Sequence, residues 1–403
     1  MTFIGQLITK HAVGDFALYG GQPLFNSIRS ISNLVRPDFE RFLEYSRLFH
    51  QDGRYSHSGP VERLLESRLA AFHEVAHCVS FCGGFWGLVL AMQGLALSGR
   101  HEVVMPSLTY RRLADIVSWA GLTPHFCEVD PDQLCITAET ARPCINANTA
   151  LILGVHPIVN CCDAEGLEAL SHESGIPLLF DAVESSFETV RGRRVGSLGR
   201  AECFSMQSSK LLNAFEGGYV TTNDEALARR LRAARDLGKG PTDGPTVPAM
   251  NARQNEMHAA MALSALDGVD EQVALNRRRY LKYKEGLAQI ASLRLVPFDE
   301  RDRNGYKNIV VELLDSWPIS RELTLELMHR ENMLARPYYF PPLHQKKTGY
   351  PMIWGDLTRT EALSRRYLLL PCGYFVTEPD VEAICGFLLA VNDLGTELAV
   401  RSA

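Results

Sequence analysis

Residues 202–224 read Glu202-Cys-Phe-Ser-Met-Gln-Ser-Ser-Lys210-Leu-Leu-Asn-Ala-Phe-Glu216-Gly217-Gly218-Tyr-Val-Thr-Thr-Asn-Asp224. The run predicts a short strand over 203–206, then small hydroxyl residues, one lysine, and a Gly-Gly turn into a second strand over 219–222. A lysine amine is a nucleophile only once it has lost its proton, and partial burial depresses its pKa enough to allow this. Upstream, Ile176-Pro-Leu-Leu-Phe180 is an apolar strand pattern that ends on Asp181. Alone, Asp181 reads equally well as a helix N-cap. Paired with Lys210, it matches what pyridoxal phosphate requires of a protein. The lysine holds the aldehyde as an imine, and the acid keeps the ring nitrogen protonated so that the ring acts as an electron sink.

From Val79 onward, short apolar strands alternate with helical segments. Strands are predicted over 103–106, 124–129, 150–156, 176–180, 202–206 and 218–222, with helices over 86–97, 111–120, 164–174 and 224–236. Such alternation predicts an α/β domain with a mainly parallel sheet covered on both faces. Residues 1–35 read as an irregular arm containing Gly20-Gly21-Gln-Pro23. Gly59-Pro60 opens an amphipathic helix that places Val61, Leu64, Leu65, Leu69 and Phe72 on one side. The segment 238–248 is rich in Gly and Pro and reads as a loop. Beyond it, helices over 255–266 and 269–290, strands near 293–297 and 308–312, and helices near 320–331, 361–367 and 378–392 describe a smaller α+β domain. The expected division is an arm over 1–35, a large cofactor-binding domain over 36–265 and a small C-terminal domain over 266–403.

The composition is that of an ordinary globular chain: 403 residues, 46% hydrophobic and 22% charged. A net charge of −6 gives no reason to expect nucleic acid or an anionic membrane as partner. The ten cysteines show no C-x-x-C and no framework of paired spacings, so neither disulfides nor a metal site is expected, and a reducing cytoplasm fits best. The N-terminal ten residues carry no signal-peptide pattern. Residues 78–97 lack charge over a length that could cross a bilayer, but Gly83-Gly84, Gln93 and Gly94 interrupt them. A strand end, a glycine turn and a buried helix explain that stretch better. No serine elbow, Walker loop, H-E-x-x-H or G-x-G-x-x-G occurs, which leaves hydrolase, nucleotidase and dinucleotide readings without support.

Other candidates gather around the lysine. Gly83, Gly84 and Phe85 precede a helix, where backbone N–H groups and the helix dipole can receive a phosphate. Ser205, or one of Ser208 and Ser209, can add a hydroxyl. Glu184 reads equally as a solvated acid or as a neighbour of the cofactor's phenolic oxygen. Tyr110 follows a strand end and either stacks on the pyridine ring or packs in the core. His156 reads as structural. The loop Arg336-Pro-Tyr338-Tyr339-Phe-Pro-Pro-Leu-His344 either bridges domains or offers Arg336, Tyr338 and His344 to a substrate carboxylate.

In this order the motifs resemble those of the DegT-type sugar aminotransferases. The resemblance rests on Gly20-Gly21-Gln-Pro23, Ser58-Gly59-Pro60 with Leu65-Glu66, Pro106-Ser107-Leu-Thr109-Tyr110 and Val129-Asp130. It continues through Asp181-Ala-Val-Glu184, the Ser205 to Lys210 block, Glu216-Gly217-Gly218, and Asn251-Ala-Arg253 with Glu256 and Ala259-Ala260. It implies a fold type I pyridoxal-phosphate enzyme with a mainly parallel seven-stranded sheet, working as a homodimer with shared sites. Lys210 would be the imine lysine and acid/base, Asp181 the ring-nitrogen partner and Ser205 a phosphate ligand. Glu184 would lie beside the ring, and Asn251 would reach the neighbouring subunit's site. The implied reaction moves an amino group from glutamate or glutamine to the ketone of a sugar, nucleotide-sugar or cyclitol. Two departures stand out. The family's Ser-Gly-Thr-x-Ala loop is Cys82-Gly83-Gly84-Phe85-Trp86, and a histidine common before the lysine is Gln207. The altered loop leaves elimination or carbon–carbon chemistry on the same scaffold as an alternative, with a non-catalytic homologue as a second.

Overall fold

A computed structural model describes residues 10–32, 36–239 and 249–402. The segment read as a Gly/Pro loop lies outside the described residues except for Gly238 and Lys239, and so do residues 1–9.

Seven strands build the sheet, the first five alternating with helices: β1 (His77–Phe81), β2 (Glu102–Pro106), β3 (Thr123–Cys127), β4 (Thr149–Val155), β5 (Leu178–Asp181), β6 (Ala201–Ser205) and β7 (Gly218–Thr222). Their order in the sheet is β3-β2-β4-β5-β6-β7-β1. Neighbours from β3 to β6 pair parallel, and β7 runs antiparallel to both β6 and β1. All seven residues of β4 are buried, as expected of a central strand covered on both faces. An eighth strand, Ile353–Trp354, extends the sheet beyond β3. A strand of two residues is too short to show alternation, so the pattern gives no sign of it, and the resemblance implies a sheet of seven.

Three helices frame the site. A 14-residue helix, α1 (Phe39–Asp52), opens on Asp38, whose side chain accepts from the N–H groups of Glu40 and Arg41, and closes on Gly53 at φ 74°. The sequence reading passed over it. The next, α2 (Pro60–His73), has proline at its start and buries Val61, Leu65 and Leu69. Its N-terminus is capped from far away. Glu256 accepts from the N–H groups of Gly59 at 3.0 Å, Val61 at 2.8 Å and Glu62 at 3.3 Å. A Cβ at Gly59 would stand 2.5 Å from the Glu256 carboxyl carbon, so the Gly-Pro start and the distant glutamate need one another. The third, α3 (Gly84–Leu95), follows β1 through Cys82 and Gly83. The uncharged stretch 78–97 is therefore strand, glycine turn and buried helix. Among the described residues, no single helix is long and apolar enough to cross a membrane.

After helices Glu256–Asp267 and Val269–Leu287, an antiparallel four-stranded sheet runs in the order Leu293–Leu295, Ile309–Leu313, Tyr367–Leu370, Arg336–Pro337. The helix expected over 361–367 sits earlier, at Thr358–Ser364, and Tyr367 begins a strand. The arm is fastened to this part of the molecule. Glu331 accepts from the N–H groups of Ala17 and Leu24 and pairs with Lys10 at 2.9 Å, while Arg29–Ser30 pairs with Met333–Leu334.

Candidate active site

The parallel strands bring their carboxyl ends to one edge of the sheet, the usual place for a ligand in such folds. There a cleft of about 430 Å³ opens between the sheet edge and the segments around Lys307 and Arg336. Asp181, the last residue of β5, is 2% exposed, and its carboxylate accepts from the Val183 N–H at 3.1 Å. Burial pushes its pKa up to about 6, against the pull of that N–H and of Lys210.

Lys210 lies beyond β6 and projects into the cleft, where its Nζ donates to Glu184 Oε1. The other oxygen, Oε2, accepts from Lys307 Nζ. Burial raises the pKa of Glu184, but the two ammonium groups overcome this and hold the carboxyl at about 2. Glu184 is thus a half-buried bridging anion rather than a solvated acid. Burial pushes the Lys307 ammonium down while Glu184 opposes it.

Gly83 and Gly84 line the same cleft. In the first turn of α3 the N–H groups of Gly84 and Phe85 have no intrahelical acceptor, so they form a small anion-binding end. Close packing requires glycine here. A Cβ on Gly218 would lie 2.3 Å from Gly84 N and 2.7 Å from Phe204 O, and one on Gly84 would lie 2.9 Å from Phe204 O. All three contacts are with backbone, which cannot swing aside. Gly218→Ala should therefore push the start of α3 off the sheet, lowering stability by about 1–3 kcal/mol. Cofactor affinity should weaken at least about tenfold, which is about 1.4 kcal/mol. Denaturant titration and fluorescence titration with pyridoxal phosphate check both values.

Ser205 ends β6 at the cleft wall, with its Oγ accepting from Gln207 N–H at 3.3 Å. Ser209 donates to Gln207 Oε1 at 2.6 Å, so Gln207 braces the turn that carries the lysine. Phe85, Tyr110 and Arg336 also line the cleft, and Tyr110 is 45% exposed.

Three candidates fall elsewhere. Tyr338 is 1% exposed and packs edge-on against Tyr339, and it is Tyr339 that lines the cleft. His344 is buried away from the cleft, hydrogen-bonded to Ser107 Oγ at 2.7 Å and to Glu361 at 2.9 Å. It fastens the 336–344 loop to the end of β2. Asn251 is exposed and outside this chain's cleft, and its Oδ1 accepts from Arg253 Nε at 3.0 Å. The adjacent Ala252 O accepts from Cys82 N–H at 2.9 Å, which puts this segment directly behind the glycine pair. His156 is structural, stacked on Phe180 and hydrogen-bonded to buried Glu202 at 3.3 Å. Lys307 and Tyr339 were not anticipated.

Residues 38–389 match the DegT/DnrJ/EryC1/StrS aminotransferase family. The chain belongs to that family. It is 34% identical over 245 residues to the L-glutamine:2-deoxy-scyllo-inosose aminotransferase of Streptomyces fradiae, a match covering 56% of this chain and 57% of that protein. With the GDP-perosamine synthase of Caulobacter vibrioides the identity is 28% over 326 residues, covering 80% of this chain and 88% of the other. The crystal structure of DesI in the presence of its TDP-sugar product superposes with a TM-score of 0.91 at 32% identity, over 97% of this chain and all of that one. The chain thus spans little more than half the length of the Streptomyces fradiae relative.

Enzymes of the DegT/DnrJ/EryC1/StrS family use pyridoxal phosphate. The side chains in the cleft fit that group. A buried strand-end acid meets one backbone N–H among the described residues. An amine enters the same cleft, and a helix N-terminus is held close by glycines.

Proposed function

We propose that this chain moves an amino group from an amino acid, glutamate or glutamine, to the ketone of a sugar, nucleotide-sugar or cyclitol. The observation that carries the reading is the meeting of buried Asp181 and the Lys210 amine in one cleft at the carboxyl edge of the sheet. The donor and acceptor classes draw support from the likeness to a glutamine:inosose aminotransferase and to DesI with its TDP-sugar product.

In this reading Gly83, Gly84 and Ser205 hold the phosphate, Asp181 takes the ring nitrogen, and Glu184 stands beside the ring. Phe85 and Tyr110 form its apolar walls. When bound, pyridoxal phosphate supplies an aldehyde for amines and an electron-withdrawing ring that makes a carbanion accessible. Lys210 Nζ takes a proton from the donor's α-carbon and later delivers one to the acceptor carbon, general acid–base work typically contributing about 10²–10⁴-fold. Arg336 faces the same space and suits a donor carboxylate. Asn251, exposed on this chain, serves the site of a second copy in a cytoplasmic homodimer.

Borohydride reduction of the cofactor-loaded chain, followed by peptide mass analysis, tests the assignment. The label is expected on Lys210. A label on Lys307, the other lysine of the cleft, or no label at all, overturns it. In a separate, unreduced sample of the loaded chain, donor amino acids should convert the bound chromophore to its amine form. Release of ammonia or carbon dioxide without that conversion would move the chain to elimination or decarboxylation chemistry.

A further inference from the structure

Lys307 lies just before the strand Ile309–Leu313, and its side chain is 8% exposed at the cleft. It meets Glu184 on the oxygen that Lys210 does not use, so one carboxylate lies between two amines. The Cys372 thiol donates to the Lys307 carbonyl at 3.1 Å, which fixes the backbone that carries the side chain.

Reading Lys210 as the proton carrier creates an electrostatic difficulty. A carboxylate in contact with an ammonium favours its charged form, typically by one to three pKa units. Glu184 alone would therefore keep Lys210 protonated and idle. With Lys307 on the other oxygen, loss of the Lys210 proton to water leaves a neutral Lys307–Glu184 pair in the buried site. We propose that Lys307 is a positioning residue for proton transfer: its fixed ammonium, held on the far oxygen of Glu184, frees Lys210 to shed its proton. The inference rests on the proposed role of Lys210.

Among the described residues no other neighbour does this work. Asp181 and the buried Glu188 are acids and act in the opposite sense, as does Glu216 at the cleft wall. Tyr338, Tyr339 and Cys372 have their pKa values raised by burial and stay neutral near pH 7. Arg336 lines the cleft but has no contact with Glu184 among the described residues.

The test is read on the amine itself. The full chain, with no cofactor added, is labelled with trace acetic anhydride across a pH series, and mass analysis of the Lys210 peptide gives its titration midpoint. In Lys307→Gln the midpoint should rise by about one to two units, and Lys307→Arg should restore it. Glu184 keeps Lys210 as a partner in the glutamine variant, so no buried carboxylate is left alone. Should that variant still fail to fold, Lys307→Met, similar in length and uncharged, is expected to give the same rise. In the loaded enzyme the acid limb of the kcat profile should move up with it, with KM little changed. A midpoint that stays in place, or falls, in a folded neutral variant overturns the proposal, because a merely structural lysine would alter melting without moving the Lys210 titration. Failure of borohydride trapping would be a separate result, since acetylation reports the amine whether or not an aldehyde binds there.

Discussion

Lys210→Ala should yield a folded chain whose turnover is lower by at least about 10³-fold, within the range general acid–base groups supply. Truncating one member of a buried ion pair commonly costs about 3–5 kcal/mol, because the partner charge is left alone. That penalty does not apply here. Glu184 keeps Lys307 on its second oxygen, so removal of the Lys210 amine leaves a matched pair. The net loss is nearer one hydrogen bond, about 1 kcal/mol. Thermal melting should therefore be close to wild type while steady-state transamination disappears. Small primary amines added to the alanine variant should return part of the rate, since they can enter the space the side chain vacates and carry the proton. A variant that transaminates at near wild-type rate would remove Lys210 from the mechanism.

The parts of this site legible in the sequence are those set by local order. Asp181 closes an apolar run and Ser205 closes the next strand, and parallel strands bring their carboxyl ends to one edge without further instruction. Glu184 is three residues past Asp181 and follows it there. Lys307 follows no such rule. It lies 97 residues beyond Lys210, ahead of an antiparallel strand of another sheet, and only tertiary packing brings it to Glu184. Tyr338 and Tyr339 show a different limit. Adjacent side chains face opposite ways, and nothing in the string says which one is turned to the cleft. At Tyr339 the backbone takes a positive φ of 42°, a conformation that sequence pattern does not forecast for tyrosine. The helix Phe39–Asp52 did carry a signal, with Asp38 before it and Gly53 after it. Its core-facing stripe is thin, with Phe49 its one fully buried residue, so the periodicity that marks most helices is faint there.

Asp181→Asn should make the cofactor-free chain more stable than wild type at pH 8, yet cripple the enzyme. In the folded chain burial raises the Asp181 pKa from 3.8 to about 6. A group whose folded pKa lies above its unfolded value contributes stability that is present below about pH 4 and lost as pH climbs through 6. The gap between 3.8 and about 6 corresponds to about 3 kcal/mol lost by pH 8. Asparagine has nearly the same shape, can still accept from Val183 N–H, and has no charge to desolvate. The two proteins should therefore match near pH 4 and diverge through pH 6, the variant gaining by up to about 3 kcal/mol. Bound cofactor should reverse the order, because a pyridinium N–H gives the wild-type carboxylate the cationic partner it lacks in the empty cleft, and binding stabilises the folded state by mass action. Turnover in the variant should fall by about 10²–10³-fold, comparable to losing one preorganised charge-stabilising group. Urea titrations at pH 5 and pH 8, each with and without pyridoxal phosphate, separate these effects. If the cofactor-free variant proves less stable than wild type at pH 8, Asp181 is a structural cap rather than an acid held in wait for a cation.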